Sequence, residues 1–256
     1  MKTESKNKVV VRGKVFGGPD NLACIPMVPA KKEDLIDEIK LVVSMQPDII
    51  EWRIDYFEGA DNPEYVKETL EEMAPIIGDI PVIFTLRHVA EGGAKEYSNE
   101  VRLATIKAAL STGHADLVDV EAFNDKEFID AVREAVHAAG SKLILSHHNF
   151  KATPDEQFII NKLLEEQELG ADIAKLAVMP QSFDDVLTLM RATYRARTQA
   201  GVDTPMITMS MGELGKISRV ITDMYGSDMS FVVGKAGSAP GQIPVDVVKN
   251  LWSMLK

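Results

Sequence analysis

Eight times along this chain, a short apolar run of strand length gives way to a longer, charge-bearing stretch with helical periodicity. The strand candidates are LACIPMV from Leu22, DIIEWR from Asp48, PVIFTLR from Pro81 and DLVDVEAF from Asp116. They continue with KLILSHH from Lys142, DIAKLAVM from Asp172, PMITMSM from Pro205 and MSFVVGK from Met229. Between them lie segments such as KKEDLIDEIKLVVSM, NEVRLATIKAALSTG and DKEFIDAVREAVHAAG. Gly78, Gly113, Gly140, Gly170, Gly201 and Gly226 each mark the return to a strand. Eight βα units in 256 residues predict a (β/α)8 TIM barrel, a single domain over residues 1–256, preceded by a hairpin in VVVRGKVFGG. A doubly wound open sheet is the alternative, but no G-x-G-x-x-G follows the first strand and no Walker A motif occurs.

Composition bounds what such a barrel does. Lys plus Arg number 28 against 39 Asp plus Glu, a net charge of −11, which opposes binding to nucleic acid or an anionic membrane. With 45% hydrophobic residues the chain is too apolar to stay disordered. Cys24 is the single cysteine, so no disulfide framework or multi-cysteine metal site is available. No apolar signal segment follows the polar start MKTESKNK, and no apolar run reaches the roughly 18 residues that a membrane helix needs. The expected setting is the reducing cytoplasm.

Side chains alternate between the two faces of a strand. In a barrel one face meets the helices; the other points inward and, near the strand C-termini, can line a site. Ile50 and Trp52 then oppose Ile49, Glu51 and Arg53. Val82, Phe84 and Leu86 oppose Ile83, Thr85 and Arg87, and Val118 and Val120 oppose Asp119 and Glu121. Leu143, Leu145 and His147 oppose Ile144, Ser146 and His148, and Leu176 and Val178 oppose Ile173, Lys175 and Ala177. The inferred interior gathers Glu51, Arg53, Arg87, Asp119, Glu121, His148 and Lys175. Burying unpaired charge is costly, so this set is either an internal ion-pair network or a site.

Lys175 sits inside an apolar strand. It reads either as a lysine snorkelling at a strand end or as a Schiff-base lysine, an amine readily freed by desolvation and neighbouring cations. His148 is a proton shuttle or a satisfied core histidine. The two histidines point to opposite faces, and no H-x-H or H-E-x-x-H occurs, so no metal is expected. Arg53, Arg87 and Arg219 are candidate clamps for carboxylate or hydroxyl groups; Arg219, in the helix-like ISRVITDMYG, reads equally as a surface residue. The loop KAGSAPGQIP from Lys235 is a lid carrying Ser238 and Gln242, or a plain connection. Lys235 is a further candidate cation for the pocket, and Gly92-Gly93 a second mobile element.

These residues resemble the type I 3-dehydroquinate dehydratases. The matching segments are EWRID, FTLR, EGG from Glu91, SHHNF, GADIAKLAVMPQS, ITMSM, ISR and GSAPGQI, in order across nearly the whole chain. The resemblance implies a barrel whose N-terminal hairpin closes the base, and cofactor-free, metal-free syn loss of water from 3-dehydroquinate in the shikimate pathway. It implies Lys175 as the imine-forming amine, His148 as the base and acid, and Glu91 as its partner. Arg219 matches the position that binds the substrate carboxylate, and Glu51, Arg53, Arg87, Ser238 and Gln242 match other substrate contacts. Met209, Met211 and Phe231 match the apolar wall, though by sequence alone they are equally ordinary core. A cytoplasmic homodimer is implied as well. Ala174 stands where many relatives carry proline, and His88 where many carry a small hydroxylated residue; neither change removes a catalytic group. A class I aldolase shares the barrel and the lysine, but usually needs a phosphate site. A non-catalytic sugar-acid binder needs no paired amine and base.

Overall fold

The computed structural model describes residues 3–235 and 237–255; residues 1, 2 and 256, and residue 236 of the expected lid, lie outside the described residues. The opening hairpin forms as expected: β1 (Val9–Val11) pairs antiparallel with β2 (Lys14–Phe16). Arg12 and Gly13 turn the chain with φ of 44° and 80°, the twist a two-residue hairpin loop requires.

The eight apolar runs form β3 (Leu22–Met27), β4 (Ile49–Arg53), β5 (Val82–Thr85), β6 (Leu117–Glu121), β7 (Lys142–Asn149), β8 (Ile173–Val178), β9 (Met206–Ser210) and β10 (Met229–Phe231). They make one sheet in the order β10-β3-β4-β5-β6-β7-β8-β9, with every pairing parallel. The intervening helices are α1 (Lys32–Ser44), α2 (Pro63–Ile77), α3 (Asn99–Ser111), α4 (Lys126–Ala138), α5 (Glu156–Glu168) and α6 (Phe183–Arg195). After β9 come two short pieces, α7 (Lys216–Val220) and α8 (Thr222–Tyr225), and α9 (Val245–Leu255) ends the fold. Five helices start where a short polar side chain accepts a first-turn N–H: Asn62, Ser98, Asp125, Asp155 and Ser182.

Four alternate strands are preceded by an aspartate that reaches sideways. Asp48, Asp116, Asp172 and Asp228 accept the main-chain N–H of Ala23, Val82, Leu143 and Met206 at 3.0, 2.9, 2.8 and 2.7 Å. The last of these closes the barrel. Among the described residues β9 and β10 share no ladder; instead the Asp228 N–H donates to the Met206 carbonyl at 2.7 Å, and the Thr208 N–H to Ser227 Oγ at 2.9 Å. The sheet is thus a nearly closed barrel with a side-chain seam.

The two strand faces separate as parity predicts. Ile50, Trp52, Phe84, Val118, Val120, Leu143 and Leu145 pack outward with helix residues such as Leu70, Ile106 and Val132. Inward, Leu22, Cys24, Ile49, Ile83, Leu117, Ile144, Ile173 and Met229 form a second cluster with Val9, Val11 and Phe16 of the hairpin. The hairpin plugs the N-terminal end of the barrel, which leaves the C-terminal end for the polar inward residues.

Candidate active site

Above that apolar plug the inward residues wall a pocket enclosing about 430 Å³ of space, the open solvent at its mouth included. Glu51 and Arg53 come from β4, Arg87 from just beyond β5, and Glu91 from a single 3-10 turn after it. His148 and Lys175 project from β7 and β8; Met209 of β9, Met211 just beyond it and Phe231 of β10 form an apolar wall. Arg219 on α7 and Ser238 and Gln242 on the loop after β10 complete it. Every residue singled out from the sequence as catalytic or substrate-contacting lies on this wall. Phe150, Ala177 and Ala239 line it too. Sequence reasoning passes over them because a small or apolar side chain carries no chemical signal, although parity places Ala177 beside Lys175.

Lys175 is 3% exposed and does not snorkel. Its Nζ lies 2.6 Å from Asp119 Oδ2, 4.0 Å from Glu51 Oε1 and 4.5 Å above the Phe231 ring. The nearest charged partner of Nζ is not one of the expected neighbouring cations but a carboxylate, because β6 points Asp119 inward, where it also meets Arg87. Asp119 also takes Arg87 Nη2 at 2.8 Å. Burial pushes the Asp119 carboxyl up, but the Arg87 and Lys175 charges outweigh it and hold the group well below the usual range. Glu121 accepts Arg87 Nη1 at 2.8 Å, the His88 N–H at 2.9 Å, and a bond from Arg102 of α3. Burial opposes the Arg87 charge, but Asp119 and Glu121 more than restore it and raise its pKa. Asp119 and Glu121 therefore form an ion-pair network under the cavity, and neither lines it.

Glu51 accepts the Thr85 hydroxyl at 2.8 Å. Arg53 makes a two-pronged pair with Asp55, at 2.8 and 2.9 Å, and donates to the Gly92 carbonyl at 3.2 Å. Gly93 is a glycine for want of space: a Cβ there would stand 2.1 Å from the Arg87 carbonyl oxygen.

Glu91 faces both histidines. Its Oε2 lies 2.8 Å from His148 Nδ1, and its Oε1 3.5 Å from His147 Nδ1. Burial pushes Glu91 up, but the hydrogen bonds from His147 and His148 win and bring it down to about 2. His148 is pushed down to about 4 by burial, aided by the Arg87 and Lys175 charges, against the pull of Glu91. An ionised Glu91 can only accept, so Nδ1 carries the proton of the neutral ring and Nε2 keeps its lone pair.

Arg219 is 1% exposed, which overturns the surface reading. The helix-like stretch around it is broken at Ile221 into α7 and α8, and Arg219, on α7, reaches the cavity wall. Its Nη1 lies 3.3 Å from the Phe231 carbonyl oxygen and 3.4 Å from Met209 Sδ, and its Nη2 donates to the Pro240 carbonyl at 3.1 Å. Nε is buried without a partner among the described residues. Among the described residues no carboxylate pairs with it, and burial lowers its pKa to about 10. Arg53, Arg87, Arg102 and Arg197, the other buried guanidinium groups, each have an acid. The loop reaches over Arg219 through Pro240, while Ser238 N–H donates to Gln242 Oε1 at 3.0 Å. Lys235 does not join the cavity. It is exposed and acts on the buried Glu38 of α1, because β10 ends at Phe231 and alternation no longer governs the chain beyond it.

Comparison with known proteins bears on this geometry. Residues 23–256 match the family described as Type I 3-dehydroquinase. The 3-dehydroquinate dehydratase of Clostridioides difficile (strain 630) is 41% identical over 250 residues, 98% of each chain. That of Geobacillus thermodenitrificans is 38% identical over 252 residues, covering 98% of this chain and 97% of its own. A type I 3-dehydroquinate dehydratase from Clostridium difficile, solved with covalently modified comenic acid, superposes with a TM-score of 0.94 at 41% identity, over 97% of this chain and 98% of that one. The 3-dehydroquinate dehydratase of Geobacillus kaustophilus HTA426 superposes with a TM-score of 0.95 at 37% identity, over 100% and 98%.

Proposed function

The chain belongs to the type I 3-dehydroquinase family, hydro-lyases that remove water from 3-dehydroquinate through a Schiff base, and on that premise we propose how its residues divide the work. Lys175 is the amine. Its Nζ attacks the C3 ketone and the resulting carbinolamine loses water, leaving a protonated imine. That cation draws electrons from the adjacent carbon, so the C2 proton becomes acidic. His148 takes this proton on Nε2, which the Nδ1–Glu91 bond leaves free. The enamine then expels the C1 hydroxyl, His148 returns the proton to the departing oxygen, and water releases 3-dehydroshikimate and the amine. One water enters the imine hydrolysis for the one lost in forming it, so the net loss is one water.

The observation that carries this reading is that one cavity joins a buried amine, an imidazole with Nδ1 engaged, and a buried guanidinium lacking an acid among the described residues. A substrate carboxylate supplies what Arg219 lacks. Glu51, Arg53, Arg87, Ser238 and Gln242 orient the hydroxyl groups and the carboxylate, against an apolar wall of Met209, Met211 and Phe231. Asp119, touching Nζ, balances the positive imine.

The test is reduction with borohydride in the presence of 3-dehydroquinate, followed by peptide mass mapping. A stable adduct on Lys175 is expected; an adduct elsewhere, or none, overturns the assignment. We also place the enzyme in the cytoplasm as a homodimer. No helix among the described residues is long and apolar enough to cross a membrane. Phe183, Leu187 and Tyr194 form an exposed row along α6, the kind of surface a second copy covers. Sedimentation at micromolar concentration distinguishes dimer from monomer.

A further inference from the structure

Behind the reactive lysine, on the helix side of β8, stands a carboxyl group that the chemistry above does not use. Glu166 lies near the end of α5, one turn beyond Leu163, and is 0% exposed. Around it Ile159, Ile160 and Leu163 from α5 meet Ala174, Leu176 and Val178 from β8. Glu166 Oε2 accepts the main-chain N–H of Lys175 at 3.0 Å. Its Oε1 is buried with no hydrogen-bond partner among the described residues, and burial pushes the carboxyl well above its usual range.

For stability alone this is a poor choice of residue. A half-satisfied carboxyl in an apolar layer costs more than a methionine or leucine of similar size. Residues that break a local rule in this way concentrate at functional positions. What the carboxyl does and an apolar side chain cannot is accept a hydrogen bond, and the peptide it holds is that of the amine itself.

We propose that Glu166 is a positioning residue for Lys175: by holding the Lys175 amide from α5, it fixes how far Nζ extends into the cavity between Asp119 and the Phe231 ring. The lysine stem is long and flexible, so the base of the stem is where the protein can control its reach. The 2.6 Å contact to Asp119 and the 4.5 Å contact to Phe231 are both sensitive to small shifts of that base. Glu166 touches neither substrate nor Nζ; it acts through the lysine backbone.

The inference rests on the imine role of Lys175, which borohydride trapping of the unaltered enzyme tests on its own. Given that adduct, the discriminating comparison is Glu166→Met against Glu166→Gln, with folding checked by circular dichroism and thermal unfolding. Glu166→Met keeps the volume and removes the acceptor. It is expected to lower kcat and the single-turnover trapping rate about tenfold, with KM close to unchanged, because reach and not affinity is lost. Glu166→Gln keeps an acceptor and is expected to restore both rates to within about twofold of the unaltered enzyme. A purely structural residue would shift the unfolding temperature and leave kcat per folded molecule alone. Unchanged kcat in folded Glu166→Met, or Glu166→Gln as slow as Glu166→Met, overturns the proposal. Should Glu166→Met not fold, Glu166→Asp decides: the carboxyl then falls short of the amide, and reduced kcat at constant KM supports the role, while unaltered kcat refutes it.

Discussion

Oε2 of Glu91 receives two hydrogen bonds from His148, one from its main-chain N–H and one from Nδ1, each at 2.8 Å. The imidazole is thereby fixed at both its root and its ring. Burial, aided by the charges of Arg87 and Lys175, pushes the histidine pKa down to about 4 against the pull of Glu91. A general base works only when unprotonated, so kcat/KM is expected to hold as pH falls through 6.5 and to drop only as it approaches 4. Stability moves in the same direction. Between the ordinary histidine value and 4, the unfolded chain binds a proton that folded His148 refuses, so folding weakens as pH falls across that window. A pH–rate profile checks the first point; an acid limb centred at 6.5 or above contradicts it. Urea unfolding of the enzyme and of His148→Asn from pH 7 to 4.5 checks the second, with the steeper loss expected in the unaltered protein.

Arg219 makes a second prediction through the acid it lacks. Arg219→Met removes a buried charge whose hydrogen bonds among the described residues go to carbonyl and sulfur atoms. The ligand-free protein is expected to lose no more than about 1 kcal/mol, because no buried counter-ion is stranded. The same change is expected to raise KM about a hundredfold, by removing a charged hydrogen-bond donor from a desolvated site. It should also abolish most of the thermal stabilisation that saturating product confers. Steady-state kinetics and thermal unfolding read both; an unchanged KM removes Arg219 from carboxylate binding.

The aspartates at the strand starts predict the opposite signature. Asp116 takes Arg12 Nε at 2.6 Å and the Val82 N–H at 2.9 Å, at the hairpin end of the barrel, away from the cavity. Asp116→Ala strands a strand amide and frees an arginine, a loss of about 2 kcal/mol. Neither kcat nor KM is expected to change. A lowered urea midpoint with unaltered kinetics confirms the separation between the end that holds the barrel shut and the end that reacts.

Much of this could be read from the chain because a barrel strand has two faces and two kinds of neighbour. Alternation alone puts Lys175 and His148 inside and Trp52 and Leu176 outside. It fails where the backbone stops being a strand: Lys235 shares the parity of Phe231 yet ends up at the surface, because β10 has already finished. Partners across the barrel are also hidden, since the Lys175–Asp119 pair joins residues 56 positions apart. Glu166 is the hardest to see. It lies among Glu165, Gln167 and Glu168 in what reads as a solvated helix end, and only the packing of α5 on β8 shows that this one carboxyl faces the lysine.

The loop after β10 supplies the last prediction. Gly241 has φ of +80°, and a Cβ there would stand 2.3 Å from the Gly212 carbonyl oxygen. Its neighbour Pro240 offers one carbonyl to two donors, Gly212 N–H at 3.2 Å and Arg219 Nη2 at 3.1 Å. The loop is therefore seated at the point where the guanidinium is aimed. Gly241→Ala meets both a left-handed backbone and a main-chain clash that no rotamer relieves, so the loop must lift. Lifting it withdraws the Pro240 acceptor from Arg219 and carries away Ser238 and Gln242, which are bonded to each other at 3.0 and 3.3 Å. KM is expected to rise about tenfold as substrate contacts loosen. Lys175, on β8, is not displaced, so trapping at saturating substrate is expected to proceed at the unaltered rate. Wild-type KM in Gly241→Ala would show that the loop does not need this seat, and a slowed trapping rate at saturation would show that it governs the amine as well as the carboxylate.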